Sequence, residues 1–92
     1  YANKTEEDII FRAEWDAHAR AHANFHCHHI LSEPPAGWNQ GVGRISEATL
    51  RKALPPPGTD TVIFLCGPPP MVDALETTLK AIGHAEQAII LP

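Results

Sequence analysis

At 92 residues the chain has room for one small domain, and its hydrophobic share of 43% suits a packed core. A net charge of −4 gives no basis for binding nucleic acid or an anionic membrane. There is no signal-peptide pattern and no apolar run of the ~18 residues that a membrane-spanning helix needs.

The chain opens at Tyr1 rather than Met, so a fragment or a processed product is expected. The two cysteines, Cys27 and Cys66, lie in no Cys-x-x-Cys pair, and nothing points to an oxidising compartment. A cytoplasmic location is the expectation, with the compartment otherwise open.

In chain order, Tyr1-Ala2-Asn3 reads as the tail of a strand. Thr5-Glu6-Glu7-Asp8 places a hydroxyl three residues before a carboxylate, a helix-start pattern, and its acids suit the positive end of a helix dipole. Ile9, Ile10, Ala13 and Ala17 then mark one face of a helix expected over residues 6–21, with Phe11 and Trp15 beside it. The cluster Ile9, Ile10, Phe11 and Trp15 is expected in the core. Residues 25–31 alternate as a strand, with Phe25, Cys27, His29 and Leu31 on one face and His26, His28 and Ile30 on the other. Residues 32–43 carry Pro34, Pro35, Gly37, Gly41 and Gly43 and read as a long loop, a length often tied to function. Ser46 can cap a short helix through Ala53, which Pro55-Pro56-Pro57-Gly58 ends.

Residues 61–83 organise the rest. Val62 to Cys66 are apolar, enough for a strand buried on both faces. Gly67 lets the backbone turn where a Cβ would clash. Pro68, Pro69 and Pro70 fix φ near the helical value and lack an N–H that a helix start leaves unpaired. Val72, Leu75, Leu79 and Ile82 recur at helical spacing, and Gly83 stands at the expected stop. A last short strand is expected over residues 87–91. The alternation of strands and helices argues for a parallel α/β sheet, in which ligands bind beyond the carboxyl ends of the strands. Cys66 would stand there, facing a bound molecule.

His18 and His22 are four apart on a helix, a spacing that can bind zinc. No third ligand follows at a specific spacing, so no metal site is expected. No paired carboxylates or Ser/His/acid arrangement stands out. A buried strand-end cysteine is ordinarily a small hydrophobe.

The string Cys66-Gly67-Pro68-Pro69-Pro70-Met71, after an apolar strand, resembles the nicotinamide-side motif of the cytochrome b5 reductase and nitrate reductase flavoproteins of the ferredoxin–NADP reductase superfamily. The likeness runs nearly end to end. Tyr1-Ala-Asn-Lys-Thr-Glu-Glu-Asp-Ile9, Pro34-Pro35-Ala36-Gly37-Trp38, Gly43-Arg-Ile-Ser-Glu47, Leu54-Pro-Pro-Pro57 and Gly83-His84 are similar to successive segments of the family's pyridine-nucleotide lobe. Two family features have no counterpart: the glycine-rich phosphate turn after the first strand, and the flavin-binding barrel.

The resemblance implies a partial doubly wound parallel sheet: the C-terminal portion of an NAD(P)H-binding lobe lacking its first strand, which should leave unpaired sheet edges. It implies a parent enzyme that passes a hydride from NAD(P)H to FAD and electrons on to a haem partner such as cytochrome b5 or a nitrate reductase haem domain. The chain alone, without the FAD domain, is expected to be inactive. Cys66 would help place the nicotinamide, with Gly67, Pro68 and Met71 shaping the pocket. Asn3, Lys4, Ser32 and Arg44 are the other cofactor-binding candidates. Ser32 stands where NADH-preferring relatives usually carry an aspartate, and Arg44 offers a two-pronged phosphate contact, so NADPH or dual use is expected. Glu33 opposes that reading if it points at the ribose. The alternative is a non-catalytic fragment that binds nucleotide or a partner chain.

Overall fold

The structure is a computed structural model. It describes residues 1–91 and divides into two compact units, Tyr1–Arg44 and the residues from Ile45 on.

In the first unit β1 (Ala2–Asn3), β2 (Ile30–Leu31) and β3 (Gly41–Val42) form a parallel sheet in the order β1-β2-β3. Asn3 lies opposite Leu31, and Leu31 opposite Val42. Strand β3 falls inside the stretch expected to be all loop. Gly41 makes it possible, because a Cβ there would stand 2.6 Å from Ile30 Cγ1. Only a residue without a side chain lets β3 close against the buried Ile30, and Gly-Val-Gly has no apolar alternation to betray a strand.

The helix expected over residues 6–21 is broken. The Asp8 carboxylate accepts hydrogen bonds from the Thr5 N–H (3.1 Å) and the Thr5 hydroxyl (2.8 Å), closing a single 3-10 turn at Glu6–Asp8. Phe11 then adopts the left-handed conformation, φ 58°, and α1 runs only over Arg12–Ala21. That left-handed residue breaks the helical periodicity, so the face begun at Ile9 does not continue. Ile9 is buried and Trp15 half-buried, but Ile10 and Phe11 are 61% and 65% exposed, and Ala13 and Ala17 face solvent. The expected four-residue core cluster therefore does not form.

What fastens α1 is polar. Arg12 pairs with Glu6 and, at 3.3 Å, with Asp16, whose other oxygen lies 3.0 Å from Nε2 of the buried His29. Trp15 stacks on Phe25 with ring centroids 6.1 Å apart.

The strand expected over residues 25–31 pairs only at Ile30–Leu31. Its alternation still shows. Phe25 and Cys27 are half-buried and His29 and Leu31 fully buried, while His26 and His28 are exposed. Ile30 departs from that pattern and is buried as well.

In the second unit α2 (Glu47–Ala53) starts at Ser46, whose Oγ accepts from the Thr49 N–H at 3.2 Å. Strand β4 (Ile63–Phe64) leads into α3 (Pro69–Ile82), which Gly83 ends at φ 119°. A 3-10 turn at Glu86–Ala88 precedes β5 (Ile89–Ile90), which pairs parallel with β4. Leu65, Leu75, Leu79 and Ile89 make a dry core, with Leu50, Leu54, Ile63 and Val72 packed on it.

Burial on both faces of residues 62–66 is not observed. Val62 and Phe64 are 56% and 79% exposed, because among the described residues α2 and α3 cover only the Ile63–Leu65 side. Among the described residues β1 pairs with β2 alone and β4 with β5 alone, so each offers an unpaired edge.

Candidate functional site

The second unit builds the Cys66 turn. The Leu65 N–H donates to the Ile90 carbonyl at 3.0 Å, carrying the pairing one residue past β4 and holding the strand straight to its end. Cys66 follows as a free, exposed thiol at the carboxyl end of the strand. Pro68 is extended (φ −59°, ψ 144°) and turns the chain into α3, and its carbonyl accepts the first helical hydrogen bond, from the Val72 N–H at 3.0 Å.

Pro69 and Pro70 open the helix and carry no N–H, so Met71 supplies the first free donor of α3. The start of α3 is thus poor in phosphate donors. Met71 is half-buried against the core and its methyl fills the space that a Cβ on Gly67 would claim. An alanine at Gly67 would push that methyl aside.

The first unit builds a charged rim. Since β1, β2 and β3 run parallel, their carboxyl ends bring Asn3 and Lys4, Ser32 and Glu33, and Gly43 and Arg44 to one edge. The Ser32 N–H donates to the Asn3 carbonyl (3.1 Å), the Glu33 N–H to the Lys4 carbonyl (2.7 Å) and the Gly43 N–H to the Leu31 carbonyl (2.9 Å). Lys4 Nζ stands 3.8 Å from Glu33 Oε1. Ser32 and Arg44 are exposed, and among the described residues no carboxylate lies within ion-pair distance of Arg44. The Asn3 side-chain nitrogen is buried without a partner.

Sequence reasoning did not foresee the cluster behind that rim. His29 Nε2 meets Asp16 and stands 3.6 Å from Cys27 Sγ, and its Nδ1 is buried and unpartnered. The hydrogen bond from His29, helped by Arg12, holds the Asp16 carboxyl below the usual carboxylate range against the opposing effect of burial. Burial pushes the Cys27 thiol up. The available sign was the shared alternation of His29 with Leu31; nothing in the sequence announced the Asp16 contact.

Trp38 ties down the loop ahead of β3: its indole N–H donates to the Gly41 carbonyl at 3.0 Å, and the Arg12 guanidinium lies 5.4 Å from its ring centre. His18 and His22 do share a face, with ring centroids 6.0 Å apart, but no set of three metal-binding side chains converges among the described residues. A groove of about 200 Å³ beside Leu50, Leu54, Pro55–Pro57 and His84 contains none of the candidate residues.

Parallel strands whose carboxyl ends gather polar and charged groups, with a strand–turn–helix junction at an exposed strand end, define an α/β domain of the nucleotide-binding class. Residues 1–77 match the family described as the oxidoreductase NAD-binding domain, and the chain belongs to that family.

It is 43% identical over 83 residues to NADH-cytochrome b5 reductase 1 of Pyricularia oryzae, covering 90% of this chain and 27% of that protein. The protein of the same name from Dictyostelium discoideum is 40% identical over 89 residues, covering 97% of this chain and 31% of the relative. Among solved structures, the cytochrome b5 reductase domain of Ulva prolifera nitrate reductase superposes with a TM-score of 0.93 at 34% identity, over 100% of this chain and 35% of that one. The CS-b5R domains of human Ncb5or in the NAD+ form give 0.87 at 27% identity, over 98% and 26%. The chain therefore spans about a third or less of these relatives, and it is an NAD-binding oxidoreductase domain of the cytochrome b5 reductase type.

Proposed function

We propose that this chain supplies the pyridine-nucleotide side of a flavin-dependent reductase. The observation that carries the reading is the exposed Cys66-Gly67-Pro68 turn between β4 and α3, in a chain of the oxidoreductase NAD-binding family. Bound NAD(P)H supplies a hydride, and FAD in a further domain of the parent would accept it before electrons leave for a haem protein.

The residues of this chain bind and orient. Cys66 offers a small, polarisable surface for one face of the nicotinamide. Gly67 keeps the backbone low, and Pro68 with the Met71 methyl fixes where the ring stops. That role is positional, and near-attack geometry is sensitive enough that a ~1 Å displacement can cost about 100-fold in rate. Asn3, Lys4, Ser32 and Arg44 form the rim for the adenosine ribose. Ser32 brings no charge to repel a 2′-phosphate, and Arg44 has no ion-pair partner among the described residues, so both NADH and NADPH are accepted. The NADH in the relatives' names supports the first of these, and the rim supports the second.

The test joins the chain to the flavin-binding domain of a cytochrome b5 reductase and follows NADH-dependent ferricyanide reduction. The chimera should turn over, and Cys66→Ser should lower kcat at least tenfold with little change in binding. The isolated chain should show none of this activity. A chimera that binds flavin and nucleotide yet cannot transfer a hydride would overturn the reading.

A second reading rests on the unpaired edges of β1 and β4 and the bare Val62–Phe64 face: a fragment that docks a partner by strand addition. It predicts partner capture without nucleotide.

A further inference from the structure

Glu33 is the one rim residue whose charge opposes a nucleotide phosphate, and the structure shows where that charge goes. Its N–H donates to the Lys4 carbonyl at 2.7 Å and its carboxylate stands 3.8 Å from Lys4 Nζ. Both contacts lie on the β1 side of β2. On the other side stands β3, whose exit carries Arg44 with no acid at ion-pair distance among the described residues. Asp8, the next carboxylate near Lys4, is engaged by the Thr5 hydroxyl and N–H. The rim is thus split into a compensated half, Lys4 with Glu33, and an uncompensated cationic half at Arg44, with the Ser32 hydroxyl between them.

From this split we infer that the Lys4–Glu33 pair is the specificity-setting element of the rim: Lys4 holds the Glu33 carboxylate away from Ser32 and Arg44 and so lets a 2′-phosphorylated adenosine in. Lys4 is a positioning residue here, acting through Glu33. The inference rests on the proposed nucleotide role of the rim and names the group it discriminates, the 2′-phosphate.

Two neutralisations then have opposite signs. Glu33→Gln removes the opposing rim charge, so selectivity moves towards NADPH. Lys4→Met releases the Glu33 carboxylate beside Ser32, where it repels a 2′-phosphate, so selectivity moves towards NADH. If Lys4 acted only as a surface charge, the two single effects would add and the double variant would return close to wild type. Because Lys4 acts through Glu33, Lys4→Met should have no effect in the Glu33→Gln background, and the double variant should keep the Glu33→Gln ratio.

The experiment is calorimetric titration of wild type, Glu33→Gln, Lys4→Met and the double variant with NADPH, NADH and adenosine 2′,5′-bisphosphate at low and high salt. The side chains are 68% and 61% exposed, so the variants should fold, which circular dichroism checks. The NADPH-to-NADH affinity ratio should rise for Glu33→Gln and fall for Lys4→Met, each on the order of three- to tenfold at low salt. Both shifts should shrink at high salt, because the pair is exposed. Ratios that stay put while both nucleotides still bind overturn the inference and leave the domain's role standing. Failure of wild type to bind either nucleotide overturns both.

Discussion

The two units reach stability by different means. From Ile45 on, Leu65, Leu75, Leu79 and Ile89 close an apolar core, and His84 is buried as well. In Tyr1–Arg44 the buried set is Ile9, Ile30 and Leu31 together with His29, and α1 contributes no fully buried residue. Its helix is held by the Glu6–Arg12–Asp16–His29 chain of polar contacts. The difference follows the proposed labour of each part. A redox ring needs a fixed wall, which a dry core gives to the Cys66 turn. A rim for a charged ribose needs side chains that keep their charge near water.

That contrast can be broken most directly in the cores. Leu79 is 1% exposed, so Leu79→Ala should lower unfolding free energy by about 2–5 kcal/mol in chemical denaturation. Leu31, 0% exposed, should give a loss in the same range for Leu31→Ala. A loss below ~1 kcal/mol at either position would deny it a core role.

Next in size is Asp16→Ala. It takes the acceptor from Nε2 of His29, whose Nδ1 already lacks a partner, and should cost about 1–3 kcal/mol. The same residue gives a pH signature. Its folded carboxyl is held low, so its contribution is present above the unfolded value of about 3.9 and is lost as pH falls through the lower folded value. Wild-type Tm should therefore drop more steeply than that of Asp16→Asn below about pH 4. Parallel profiles would show that Asp16 does not couple to folding.

The smallest effect is expected at Phe11. A left-handed, exposed phenylalanine is strained, and asparagine tolerates that conformation better. Phe11→Asn should leave stability unchanged or raise it by about 1 kcal/mol. A loss near 3 kcal/mol would mean that the ring is packed.

The same contrast explains how much could be read from the residues. Residues 61–83 announced their strand, turn, helix and stop because apolar spacing and Gly/Pro chemistry act locally, and Ser46 announced its helix for the same reason. In the first unit the decisive facts are non-local or come from missing side chains. Gly41 makes β3 by its lack of a Cβ, Phe11 breaks a helix its neighbours favour, and Asp16 meets His29 thirteen residues away. The candidate site was legible to a similar degree. The Cys66 turn stood out as a motif, and the rim residues could be named, but the side to which Glu33 turns required coordinates.

The central claim is that the Cys66 turn meets the nicotinamide of a dinucleotide. Titrating the isotopically labelled chain with NADH and reading backbone amide shifts by NMR tests it most directly. The amides of Cys66, Gly67 and Met71 should move along a single saturation curve as NADH is added. Shifts confined to the groove at Leu50, Leu54 and His84, or none at saturating nucleotide, would contradict it.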